Sequence, residues 1–90
     1  MSKRFYAVTA ILGGAIFIPG LAQASCSSLW SERNQIYKDA GYCFKTSRAI
    51  RAFGNSGCRF DDINDVPLSG RQRAIVRDIA AQERRIGCSD

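Results

Sequence analysis

The chain has 90 residues and a mass of 9.9 kDa, is 46% hydrophobic and 23% charged, and carries a formal net charge of +5. That size holds one small domain and excludes a multi-domain enzyme, and the composition excludes collagen-like, low-complexity and wholly disordered chains. Histidine is absent, which removes the commonest general base and metal ligand.

The N-terminus has the three-part layout of an export signal. Lys3 and Arg4 give a positive start, and Phe5 to Ile18 is an apolar run broken by Thr9. Pro19 and Gly20 end it, and Ala22-Gln23-Ala24 supplies the small-x-small pattern of a cleavage site. A retained anchor would need ~20 apolar residues, whereas a run of ~10–14 suits a leader. Lipid attachment at Cys26 is disfavoured, because Gln23 stands where a branched apolar residue is usual. We therefore expect a leader over residues 1–24 and a domain over 25–90. Without Lys3 and Arg4 the domain keeps eleven basic and eight acidic residues, a net +3. A chain of about this size buries only ~60% of the surface its unfolded form exposes, so its core needs staples.

Cys26, Cys43, Cys58 and Cys88 all follow the cleavage site. An even count in a short exported chain reads as two disulfides. Gaps of 16, 14 and 29 residues contain no C-x-x-C pair, which argues against zinc and against a redox dithiol. Four cysteines allow three connectivities, and spacing does not select among them. Cys26–Cys88 with Cys43–Cys58 is favoured, because the first ties the chain ends and the second clips a short middle hairpin.

Three helices follow in order. The first is expected to start after a Ser27 or Ser28 cap and to carry Leu29, Arg33, Ile36, Tyr37 and Ala40 at helical spacing, with Gly41 closing it in the left-handed region. The second is capped by Thr46 or Ser47, carries Ala49, Ile50 and Phe53, and stops at Gly54-Asn55-Ser56-Gly57. Tyr42-Cys43-Phe44 and Cys58-Arg59-Phe60 flank it as short extended segments that pair with each other. Asp61 to Asp65 is an acidic turn closed by Pro67. Ser69 and Gln72 form a capping box for the third helix, whose stripe is Ile75, Val76, Ile79, Ala80 and Ile86. The expected fold is mainly α, a small three-helix disulfide-stapled domain with a minimal two-stranded contact.

Little in the chain points to catalysis. Read as an EF-hand from Asp62, the acidic turn has Pro67 at the sixth position and Arg73 at the twelfth, so the pattern fails. A Ser-His-Asp arrangement is impossible without histidine, and a Ser-Lys variant would have to use Lys38 or Lys45. Gly54-x-x-Gly57 is a turn, not a phosphate loop. The expectation is a non-enzyme without metal or cofactor. The arginines of the third helix, diluted by Asp78 and Glu83, read as a solvated face or as a weak site for anionic polymers and headgroups. Trp30 and Tyr42 are candidate sugar platforms, although rings in so small a domain more often pack inside.

The segment from Arg33 to Lys45 resembles the core of the YARHG domain, whose pattern is roughly R-N-x-I-Y-A-R-H-G-Y-x-F. Arg33, Asn34, Ile36, Tyr37, Gly41, Tyr42 and Phe44 match. Lys38, Asp39 and Ala40 stand where Ala, Arg and His are expected, so no role of that histidine transfers. The resemblance extends loosely to Pro67, Leu68 and Ser69 and makes residues 25–90 a YARHG-like domain. It implies a bacterial extracytoplasmic location, periplasmic or secreted, and no settled activity. It adds Arg33, Asn34, Tyr37 and Tyr42 as candidate binding residues. Their structural alternatives are an ion pair of Arg33 with Asp61 or Asp62, and Asn34 satisfying a loop backbone. The functional expectation is a monomeric envelope binding domain with a protein or glycan partner, no nucleic acid, and at most weak membrane contact. The alternative is a secreted cationic factor, membrane-active or inhibiting a hydrolase.

Overall fold

The computed structural model describes residues 19–89. Most of the expected leader lies outside them. Three helices make up the domain: α1 over Pro19–Asp39, α2 over Ser47–Phe53 and α3 over Gly70–Arg85. A 3-10 turn spans Ile63–Asp65. α1 packs against both α3 and α2. The fold is mainly α, as expected.

α1 begins at Pro19, not after Ser27 or Ser28. Proline at the first helical position costs no hydrogen bond and presets φ, and nothing from Leu21 to Ser25 stops a helix from propagating. The C-terminus is where Gly41 was expected to act. The Tyr42 amide donates to the Tyr37 carbonyl at 3.0 Å and the Gly41 amide to the Lys38 carbonyl at 3.1 Å, with Gly41 at φ 97°. This is a Schellman cap, completed by an edge-on contact of the Tyr37 and Tyr42 rings at 5.9 Å. The I-Y-x-x-x-G-Y stretch is therefore first of all a device for stopping a helix.

α3 ends in the same way. The Cys88 amide donates to the Glu83 carbonyl at 2.8 Å and the Gly87 amide to the Arg84 carbonyl at 3.3 Å, with Gly87 at φ 79°. The turn carries Cys88 back to α1, where it bonds Cys26 with a Cα–Cα separation of 5.6 Å. The second disulfide joins Cys43 and Cys58. The start of α3 carries the expected capping box of Ser69 and Gln72.

The middle segments meet in one parallel bridge, Tyr42 to Phe60. The Cys43 amide donates to the Phe60 carbonyl, and the Gly41 carbonyl accepts from both Arg59 and Phe60. The expected hairpin is replaced by a miniature crossover, because α2 lies between the two segments and returns the chain in the same direction. α2 is capped by Thr46, whose hydroxyl accepts from the Ala49 amide.

Phe44, Ala49, Val66, Leu68 and Ile79 form the buried core. Val66 and Leu68 flank Pro67 in a tight three-residue turn, the Leu68 amide donating to the Val66 carbonyl at 2.9 Å, and both side chains are buried. The stripes expected on α2 and α3 are narrower than drawn. Ile50, Ile75 and Ile86 are 42%, 38% and 46% exposed. The inner face of α3 keeps Val76, Ile79 and Ala80 of the expected stripe and adds Gln72 and Glu83.

Asn55 fixes the segment around Phe44. Its Oδ1 accepts from the Phe44 amide at 2.7 Å and its Nδ2 donates to the Phe44 carbonyl at 3.0 Å. Asn55→Ala leaves both backbone groups of a buried residue without partners, at a cost of about 2 kcal/mol. Asn55→Asp keeps one bond and falls between. Urea unfolding midpoints check this, and a loss under ~0.5 kcal/mol for the alanine variant contradicts it.

Candidate functional site

The aromatic side chains form a connected row across one side of the domain. Trp30 meets Phe53 at 5.7 Å, Phe53 stacks on Phe44 at 5.2 Å, Phe44 meets Tyr42 edge-on at 5.2 Å, and Tyr42 meets Tyr37. Offset and edge-on ring pairs of this kind add to the burial that holds helices together. The row runs from α1 through α2 and back, so the end rings, Trp30 and Tyr37, sit on the same helix. Both end rings and Tyr42 are half-buried. A guanidinium lies on the row: Arg48 is 3.7 Å from the centroid of the Trp30 ring.

Arg33 is an ion-pair residue, but its partner is neither Asp61 nor Asp62. Its Nε and Nη2 donate to Oε1 and Oε2 of Glu83 at 2.9 and 3.1 Å, a two-pronged pair joining α1 to α3. Asp61 pairs instead with Lys45 at 3.1 Å, in the open. Glu83 was read as a solvated acid diluting the arginines, yet it is buried with its residue 9% exposed. Asn34 is equally buried and donates to the Trp30 carbonyl one turn earlier on its own helix, at 2.9 Å. The loop-backbone role expected of Asn34 belongs to Asn55. A turn-rich Gly-Asn-Ser-Gly run signals a loop but not which of its side chains reaches back to the core.

Two surface depressions meet at Arg33 and Ile63. One, of about 270 Å³, lies where α1 faces α2 and is lined by Trp30, Arg33, Tyr42, Lys45, Arg48 and Ile63. The other, of about 400 Å³, runs where α1 faces α3 and includes Tyr37, Val76, Ala80 and Arg84. Of the four residues picked from the sequence, Arg33, Asn34 and Tyr42 line the first depression, and Tyr37 joins Arg33 at the second. Lys45, weighed in the sequence only as a Ser-Lys candidate, and Arg48, which sequence reasoning passed over, supply the exposed charge. The lining of the first depression contains three basic side chains and no acid, whereas the second contains Glu83.

The acidic turn is built differently. Asp61, Asp62 and Asp65 are all exposed, and Asp62 is used as a cap, accepting from the Asn64 amide at 2.9 Å. Among the described residues no group of three or more Cys, Asp or Glu is placed to hold a metal ion, and no helix is long and apolar enough to cross a membrane.

Comparison with known proteins agrees with the motif. No curated protein and no solved structure matches the chain. The YARHG domain matches over residues 6–84, from within the expected leader to the last turn of α3. With seven motif residues in place, the capped tyrosine turn built from them, and the match spanning most of the sequence, the chain belongs to the YARHG domain family, a family of small extracytoplasmic domains.

Proposed function

We propose that the protein is exported, loses residues 1–24, and works in the bacterial envelope as a binding module without catalytic activity. It offers the depression between α1 and α2 to an envelope protein or glycan. One observation supports this reading above the others: Arg33 and Tyr42 of the family motif line that depression together with exposed Lys45 and Arg48 and no acid. Two disulfides and a helix cap hold this face rigid, so little ordering is needed on binding. A second reading, the secreted cationic factor, draws on Arg71, Arg73, Arg77, Arg84 and Arg85, all exposed on α3.

Retention of the purified protein on washed bacterial envelopes separates the two. Lys45→Glu with Arg48→Glu is expected to lower retention about tenfold, since reversing charge at a binding face costs on the order of 1.4 kcal/mol or more. Arg77→Glu with Arg84→Glu should leave it unchanged. The reverse pattern assigns the α3 face and the second reading, and no retention of the native protein overturns both.

A further inference from the structure

We propose that Arg48, held over the Trp30 ring, is a receptor for the carboxylate of an acidic saccharide. The inference rests on the reading that the α1–α2 depression is the binding face, and it names the ligand class. Arg48 is exposed, and its guanidinium carbon lies 3.7 Å from the indole centroid. Among the described residues no acid pairs with it and no group accepts its hydrogen bonds. A guanidinium engages a ring through its face, and its N–H donors, lying in its own plane, stay available to a carboxylate as a fork. The ring restricts a side chain that would otherwise sweep many rotamers, which lowers the ordering cost of binding.

The neighbours define the rest of the ligand. Lys45 lies in the same lining and, among the described residues, is engaged only by exposed Asp61, with side-chain exposures of 54% and 88%. Such an open pair gives up its partner easily. A ligand carboxylate thus meets one fixed and one movable cation. Arg33 adds little, because Glu83 already holds it. Trp30 and Tyr42 are half-buried in the same lining and offer apolar ring surface. A bare anion has no use for that surface, whereas the C–H face of a sugar ring does. The volume of about 270 Å³ is below the ~300–1,000 Å³ typical of drug-sized sites and suits one small ring.

Trp30 is the only tryptophan in the chain, so its emission reports on the site without interference. The oxidised protein is titrated with glucuronate, glucose, acetate and inorganic phosphate at low salt. Glucuronate is expected to shift the emission saturably, at least tenfold tighter than acetate or phosphate, with no response to glucose. Arg48→Gln and Arg48→Lys should each weaken it about tenfold, and Arg51→Gln, one turn along the same helix and outside the lining, should not. Equal response to acetate, phosphate and glucuronate overturns the saccharide assignment and leaves a bare anion site. No response to any probe, or Arg48 variants that bind like the native protein, overturns the proposal. Envelope retention that survives such a failure leaves the binding face standing and removes only the ligand class.

Discussion

Replacing Cys26 and Cys88 together by serine lowers the thermal midpoint by roughly 15–30 °C. The bond spans a sequence separation of 62 residues. In the chain-entropy account, closing a loop of that length is worth about 4 kcal/mol, against about 3 kcal/mol for the 15-residue separation of Cys43 and Cys58. In a domain of this size each kcal/mol moves the midpoint by about 4–8 °C. The core explains why so much rests on sulfur. Its buried apolar members are Phe44, Ala49, Val66, Leu68 and Ile79, one of them an alanine, and no large described side chain is completely sealed. The Cys43→Ser/Cys58→Ser variant should lose less, and reductant should unfold the native protein at about 37 °C. Calorimetry with and without reductant measures all three. A midpoint shift under ~5 °C for the Cys26/Cys88 variant would show that the apolar core stands alone.

The second large effect is expected at Glu83. Its carboxylate is buried against Arg33, with side-chain exposures of 11% and 19%. Glu83→Ala removes one partner and leaves a guanidinium in a poorly hydrated place. Breaking a fully buried pair costs ~3–5 kcal/mol, and this one keeps some solvent contact, so about 2–3 kcal/mol is expected. Glu83→Gln retains shape and one acceptor and should cost less. The double variant Arg33→Ala/Glu83→Ala should lose less than the two single losses added, with a coupling of at least ~1 kcal/mol. Denaturant unfolding of the four proteins completes the cycle. Additive losses would mean that the two side chains stabilise the fold separately and that the bridge between α1 and α3 is incidental.

What could be read in the sequence was local. The Ser69–Gln72 cap, the Thr46 cap, and Gly41 at the end of α1 are decided within one turn of chain, and each is found where the residues put it. Gly41 was legible as a helix stop. That Tyr37 and Tyr42 complete the same cap was not, because the motif presents them as surface candidates. The missed features depend on chain brought from far away. Arg33 finds Glu83 fifty positions later, and no spacing rule connects them. Helical periodicity selected Ile75 and Ile86 on hydrophobicity alone, yet the stripe that meets α1 passes through Glu83 because a cation waits there. The candidate depression was only half visible. Arg33, Asn34 and Tyr42 came from the motif, while Lys45 and Arg48 join them only when α2 folds against α1.

The bond between Cys26 and Cys88 also has a mechanical side. The two α-carbons are 5.6 Å apart, so polypeptide arriving at Cys26 and leaving beyond Cys88 does so at one spot. Tension applied between Cys26 and Cys88 passes across the sulfur atoms and leaves the chain between them, with α2, α3 and α1 from Cys26 onward, unloaded. The bond acts as a clasp, so a force that separates the two cysteines must break sulfur from sulfur before it can draw α1 away from the end of α3.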